Sequence, residues 1–343
     1  MSYRLTDIGK IPGGAGATMI NAAMVGLGRW GQTVLGSIQG KSTRLRIVHG
    51  VTKEPELARE LAARHGFRLS TDLNDAIADP QVQAILLATP HSLHVEQVRM
   101  VAAAGKPVWC EKPLALTRAQ AERAVAAVRA AGVPLGSGNN KRCFASMREL
   151  KRVVDSGEIG KVLHIEGHFS NEHSTRVAGG WRDDPAESPG AGMTGAGLHV
   201  LDAFVNLAGP ISYVDARFIA KNPPPDPRDV VAVLVEFASG ATGQMATVRA
   251  APMFWRVHVF GTNGSAEARG EDTLVVAKIA GATEERKFEH VDSLRVLLEA
   301  FADAVESKAP FPVQPEQMLD VIGAFEAVIA SLTKGEPVTI AQK

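Results

Sequence analysis

The stretch INAAMVGLGRWG, residues 20–31, decides the fold. A short apolar run leads directly into Gly26, Gly28 and Gly31 in the spacing G-x-G-x-x-G, and an amphipathic stretch opens at Trp30. Glycines in that pattern let a chain turn tightly at a strand end and come close to a pyrophosphate, which the N-terminus of the next helix attracts. Three glycines alone would be a weak signal. Here strand, glycine loop, helix and a second strand, LRIVHGV, follow in the order a dinucleotide-binding unit needs.

Outward from that stretch the rhythm continues. PELARELAARHG, AILLAT, HVEQVRMVAAAG, PVWC and RAQAERAVAAVRAAG alternate amphipathic helices with short apolar strands, the signature of βαβ units and a doubly wound parallel sheet. This predicts a Rossmann domain over residues 20–138. The glycines and asparagines of GVPLGSGNNKRCF break the rhythm, as a domain junction would. Beyond it, SYVDARFIA, VVAVLVEFASG, ATGQMATVRA, WRVHVFGTNGSAEARG, TLVVAKI and ERKFEHV are strand-like runs separated by SG, AG and NG turn signals. Residues 139–343 are therefore expected to form an α+β domain on an open, largely antiparallel sheet. The amphipathic stretch PEQMLDVIGAFEAVIASLTKG closes it at a glycine suited to a helix C-terminus.

Composition bounds the function. At 343 residues the chain has room for two cores. Lys plus Arg balances Asp plus Glu at 37 each with no basic run, which argues against nucleic acid and anionic membranes as partners. Only Cys110 and Cys143 are present, without C-x-x-C spacing, so neither a disulfide scaffold nor a cysteine zinc site is expected, and a reducing, cytoplasmic setting fits. No apolar run approaches a membrane span. Residues 1–19 form a Gly-rich extension without an export signal. Two readings of it stand: Met19 is the true start, or the segment is an arm over a neighbouring subunit or the cofactor cleft.

Cofactor choice is read at the end of the second strand. An acidic residue there would hold a ribose 2′-hydroxyl, but the position carries Thr52 followed by Lys53. A hydroxyl and a cation suit a 2′-phosphate, so NADP is expected over NAD. In the competing reading Lys53 is a solvated loop residue and Glu54 takes the ribose. Arg29 is either a second cation near the phosphates or a surface residue.

WCEKPLALT, residues 109–117, narrows the field. Glu111, Lys112 and Pro113, with LLATPHSLHVEQV (86–98), GWRDDP (180–185) and GLHVLD (197–202), resemble the Gfo/Idh/MocA oxidoreductases, the family of glucose-fructose oxidoreductase and inositol dehydrogenase. The likeness runs from Ile20 to the last helix. It implies hydride transfer between a nicotinamide and a carbon of a sugar, polyol or inositol, with no metal. By the family pattern Lys112 lies near the nicotinamide and steadies the developing alkoxide, and His199 exchanges the substrate proton, work suited to an ordinary histidine pKa. The resemblance places Trp30, Thr89, Pro90, His94 and Glu111 on the cofactor side with the glycine loop. Trp181, Arg182, Asp184, Asp202 and His173, with Asp183, Asn171 and Arg176 nearby, are expected to face the substrate. The family tendency also predicts a homodimer or homotetramer through the second-domain sheet.

One position departs from the family. Its common pattern D-x-G-x-H puts a carboxylate four residues before the histidine, and this chain has Gly195 there. Asp202, three residues after His199, is the expected substitute for orienting the imidazole. Three outcomes follow from the change: turnover on Lys112 and His199 alone, a substrate whose own hydroxyl replaces the carboxylate, or lost turnover and a cofactor-binding sensor. A non-redox reaction with tightly held cofactor is a further alternative. His164 and His168 share one strand face and either line the substrate pocket or half-cover the sheet. His91 and His94 lack the further ligands a zinc site requires.

Overall fold

A computed structural model describes residues 18–172, 180–190, 192–221, 229–249 and 251–341. His173 and Arg176 lie outside them, as do residues 1–17 and the side chain of Asp183.

The described chain divides into two compact units, one of residues 18–140 and 292–318, the other of 141–291 and 319–341. In the first, strands β1 (Ile20–Val25), β2 (Leu45–Val51), β3 (Arg68–Ser70), β4 (Ala84–Leu87), β5 (Val108–Cys110) and β6 (Leu135–Ser137) form a sheet in the order β3-β2-β1-β4-β5-β6. Every pairing is parallel. The helices between the strands are α1 (Arg29–Ile38), α2 (Pro55–His65), α3 (Leu73–Ala78), α4 (His94–Ala103) and α5 (Arg118–Ala131). Helices on both faces explain why β4 and β5 read as unbroken apolar runs. The strand order reverses between β1 and β4. In a doubly wound sheet ligands bind beyond the strand ends at such a switch point, here the loops after Val25 and Leu87.

Residues 292–318 correct the expected domain boundary. The reading above assigned them to the second domain and named no helix there, yet α8 (Ser293–Val305) belongs to the first unit. Side-chain chemistry fixes it: Arg44, ahead of β2, forms ion pairs with Asp303, at 2.7 Å, and with Glu306. Asn140 donates to Ser293 at 2.9 Å. The Lys308 ammonium, with Thr18 and Arg44, holds the Glu306 carboxyl down to about 2. These are long-range partners that no local pattern announces.

In the second unit, β7 (Val162–Asn171), β8 (Ile211–Lys221), β9 (Asp229–Phe237), β10 (Thr242–Arg249), β11 (Phe254–Gly261), β12 (Gly264–Arg269), β13 (Thr273–Lys278), β14 (Glu284–Lys287) and β15 (Val338–Thr339) make one sheet. Its order is β14-β13-β12-β11-β7-β10-β9-β8-β15, and only β7 with β10 is parallel. The expected open, largely antiparallel sheet is thus present, with the NG signal at a two-residue hairpin between Gly261 and Gly264. One face carries α6 (Ala145–Asp155) and α7 (Leu198–Ala208), while α9 (Pro315–Lys334) reaches the sheet through Ser331, whose hydroxyl accepts from the Ala216 amide at 2.9 Å.

The alternation of β7 sets the position of α7. Ile165, Gly167 and Phe169 point inward, whereas His164, Glu166 and His168 face the open side. A Cβ at Gly167 would lie 2.3 Å from Val200 and 2.7 Å from Phe204. The glycine therefore lets α7 seat directly on β7, which places His199 against the buried face of the sheet.

Candidate active site

In the first unit the glycine loop is fixed by close approach. Gly26 has φ +90°, and a Cβ there would meet the Ala88 carbonyl oxygen at 2.5 Å; one at Gly31 would meet the Gly26 oxygen at 1.8 Å. No L-residue with a side chain fits either place without moving backbone. Gly28 differs, since a Cβ there would meet nothing within 4 Å. It opens onto free space at the start of α1, whose first turn carries no acidic residue and no side-chain cap. The buried Trp30 Nε1 has no hydrogen-bond partner among the described residues. Uncapped amides and an open cradle fit the pyrophosphate of a dinucleotide.

At the end of β2 the Thr52 amide donates to the Ser70 carbonyl at 3.0 Å, and its Oγ1 accepts from the Glu54 amide at 3.3 Å. Lys53 and Glu54 are exposed. The first carboxylate after β2 is therefore at the start of α2 and not at the strand end.

The loop after β4 and the segment after β5 carry the other residues that the sequence led us to expect on the cofactor side. Thr89 Oγ1 donates to Gln97 Oε1 at 2.6 Å, and Pro90 follows it half-buried. His94 is fully buried, with Nδ1 2.7 Å from the Pro113 carbonyl oxygen and Nε2 3.0 Å from that of Thr89. Its ring is thus turned into the protein. Glu111 is buried, and its Oε2 accepts from the Lys112 amide at 3.0 Å, so the carboxylate shapes the turn from which the half-buried Lys112 projects. The Lys112–Pro113 peptide is cis. Burial pushes the Cys110 thiol well up, and neutral thiols are poor nucleophiles.

In the second unit His199 is 8% exposed near the start of α7, its ring edge-on to Phe169 with centroids 5.7 Å apart. Asp202 does not serve it as expected. Both carboxylate oxygens are taken by Arg142, with Nε at 3.0 and 2.9 Å and Nη2 at 2.7 Å, and Nη1 goes on to Asn206 at 3.1 Å. The pair is buried, and removing one member of such a pair costs about 3–5 kcal/mol. Asp202 thus lies one turn from the histidine that it was expected to orient, with its carboxylate bonded to Arg142.

Gly195 lies in a π-helical turn, Met193–Gly197, that leads into α7. The α-helical rule that residues four apart share a face therefore does not relate it to His199. A Cβ at Gly195 would meet nothing within 4 Å, and the residue is exposed. Such turns recur at functional sites. Trp181 and Arg182 are half-buried, the guanidinium stacked 4.2 Å from the indole centroid, and exposed Asp184 accepts from the Ala186 amide at 2.9 Å.

His164 and His168 occupy the opposite face of β7 from Phe169 and His199. They half-cover the open sheet, bonded to Thr242 and Ser170. Burial, and then Arg256, lowers the His168 pKa. No group of His, Cys, Asp and Glu among the described residues could hold a metal ion.

Two residues escaped the sequence reading. Lys141 and Arg142 both lie in the junction text GVPLGSGNNKRCF, to which the sequence assigned no site role. The Lys141 ammonium sits 4.4 Å from the ring centres of both Phe144 and Phe169 and 5.5 Å from that of Trp255. Phe169 thus contacts both Lys141 and His199. No spacing in NNKRCF announces a cage in which Phe144 is joined by walls from β7 and β11.

Residues 20–139 match the family model described as the oxidoreductase family, NAD-binding Rossmann fold, and 147–267 match the GFO/IDH/MocA C-terminal domain. The 1,5-anhydro-D-fructose reductase of Ensifer adhaerens is 27% identical over 92% of this chain and 99% of its own length. The inositol 2-dehydrogenase of Ralstonia nicotianae is 32% identical over 58% of this chain and 57% of its own. A levoglucosan dehydrogenase solved with NADH and levoglucosan shares the fold, with TM-score 0.85 at 22% identity over 95% of this chain and all of that one. Both halves of the family pattern occur here in order, and the chain belongs to the GFO/IDH/MocA oxidoreductases, with an NAD-binding Rossmann domain.

Proposed function

We propose that the protein moves hydride between a nicotinamide cofactor, preferably NADP, and a secondary alcohol or ketone of a sugar, polyol or inositol-like compound. The observation that carries this reading is the retention of the family's reactive pair in ordered settings, with Lys112 in the turn shaped by Glu111 and His199 buried near the start of α7. When bound, the nicotinamide supplies the hydride acceptor. In the oxidation direction the hydroxyl proton passes to the His199 imidazole, while the Lys112 ammonium stabilises the alkoxide and so lowers the barrier as the C–H bond breaks. Trp181, Arg182 and Asp184 are proposed to contact substrate, with Thr89 and Pro90 on the cofactor side.

The NADP preference is supported by Thr52 and Lys53 at the end of β2, where a carboxylate would repel a 2′-phosphate. Exposed Leu234 on the open sheet face supports self-association as a homodimer or homotetramer. Two buried, unpaired cysteines fit a cytoplasmic setting, and no helix among the described residues is long and apolar enough to cross a membrane.

The test is cofactor reduction with NADP and NAD across sugars, polyols and inositols, with His199→Ala beside the wild type. Turnover is expected to favour NADP and to fall about 10²–10⁴-fold in the variant. Unchanged turnover in His199→Ala would remove the proton-transfer role, and equal use of NAD would remove the NADP preference. Gly195 favours one other reading, a cofactor-binding sensor. Tight cofactor binding without turnover on any compound would leave either a substrate outside the panel or a sensor.

A further inference from the structure

His94 makes two hydrogen-bond contacts that a neutral histidine cannot satisfy together. Nδ1 lies 2.7 Å from the Pro113 carbonyl oxygen and Nε2 3.0 Å from the Thr89 carbonyl oxygen. Carbonyl oxygens only accept, and a neutral imidazole carries a single N–H. In either tautomer one nitrogen lone pair would face an oxygen lone pair at 3.0 Å or less. Turning the ring over does not help, because it would bring ring carbons to those places, closer than the roughly 3.3–3.6 Å that even favourable C–H···O contacts keep. The ring is fully buried, so solvent does not relieve the conflict.

We infer that His94 is a doubly protonated positioning residue that donates to both carbonyls and ties the loop after β4 to the turn carrying Lys112. Charge-assisted hydrogen bonds are shorter and roughly twice as strong as neutral ones, which offsets the cost of burying the cation. Thr89 and Pro113 belong to the segments that follow neighbouring strands β4 and β5, so one side chain sets the spacing between two parts of the cofactor crevice. Of the nearby titratable groups, His91 meets the ring edge-on at 5.7 Å, and Glu111 and Lys112 precede Pro113 in the same segment. This assigns His94 a supporting place in the crevice instead of the direct cofactor contact expected from the sequence. Its effect on catalysis rests on the role proposed for Lys112, whereas its protonation state does not.

The first readout is independent of activity. The full-length protein, labelled with ¹⁵N-histidine, is examined by long-range ¹H–¹⁵N correlation, with His94 assigned by its loss in His94→Asn. Both ring nitrogens are expected to stay protonated between about pH 6 and pH 8, where an unperturbed histidine loses its charge. An unprotonated nitrogen on His94 at neutral pH would overturn the inference. The second readout compares variants. Asparagine can place a donor where Nδ1 was and glutamine where Nε2 was, so His94→Asn and His94→Gln each keep one tie and His94→Ala keeps neither. We expect kcat to fall on the order of tenfold in the amide variants and hundredfold in His94→Ala, with cofactor Kd nearly unchanged. A large rise in cofactor Kd with kcat preserved would mean direct cofactor contact and would overturn the positioning role. If His94→Ala does not fold, the amide variants still decide. Should the wild type turn over no substrate, the functional proposal falls, while the protonation measurement still decides this one.

Discussion

Gly31 and Gly195 look alike in the sequence, each a glycine at the start of a helix in a family motif. Their surroundings differ completely. A Cβ at Gly31 would sit 1.8 Å from a backbone oxygen, whereas one at Gly195 would meet nothing within 4 Å. The first glycine is demanded by the fold. The second occupies a place where a side chain would be accepted, so packing does not demand the glycine that stands where the family pattern has a carboxylate. Sequence alone cannot separate the two cases, because the obstacle at Gly31 is the main chain of another part of the loop.

The hardest test of this contrast is Gly31→Ala. Overpacking usually costs about 1–3 kcal/mol when side chains can yield. Here a carbonyl of the glycine loop must move, so the cost should reach the upper end, near 3 kcal/mol, and lower Tm by roughly 6–12 °C. Cofactor affinity, measured by nicotinamide fluorescence, should drop more than tenfold if the displaced loop cradles the pyrophosphate as proposed. Binding equal to wild type would show that the close approach is not needed.

Asp202 supplies the counterpart to Gly195, a carboxylate near His199 whose bonds are already committed. Arg142→Ala should lose about 3–5 kcal/mol in chemical denaturation, since it leaves the Asp202 charge buried alone. The paired replacement of Arg142 by Met and Asp202 by Leu should recover most of that loss. If the pair were as damaging as the single change, Asp202 would have a task beyond holding Arg142.

The Rossmann half was legible because its information is local. Glycine spacing, apolar runs of strand length and helix faces all lie within a few residues of one another, and they marked β1, β2, β4 and β5, whereas the three-residue β3 and β6 went unread. The sheet of the second unit could be read from the alternation of VVAVLVEF and the turn signals around it. What escaped depends on distant partners. α8 has an ordinary amphipathic pattern, but its attachment to the first unit comes through Arg44, far away in sequence. Arg142 and Lys141 took their roles from α7, β7 and β11, and Asp202 looked available to His199 only because its guanidinium partner lies 60 residues earlier. The π-helical turn before His199 was hidden as well, since glycine-rich text fits a loop equally.

Gly195→Asp should have the smallest effect on stability and is the most informative about the site. Glycine is a poor helix residue and aspartate only modestly better, while a carboxylate near a helix start gains a few tenths of a kcal/mol from the helix dipole. The open space adds no steric cost, so stability should change by no more than about 0.5–1 kcal/mol, within roughly 2–4 °C of the wild-type Tm. Activity is where the change should register, because a restored carboxylate would alter the charge presented to substrate hydroxyls and the proton affinity of a nearby imidazole. A shift of kcat/KM on the order of tenfold, with Tm unmoved, would show that Gly195 selects among substrates without serving the fold. A marked fall in Tm would mean that the space is not open and that both glycines are structural. Unchanged kinetics at unchanged Tm would leave Lys112 and His199 sufficient for the chemistry, and the substrate would then have to supply what the family's carboxylate provides.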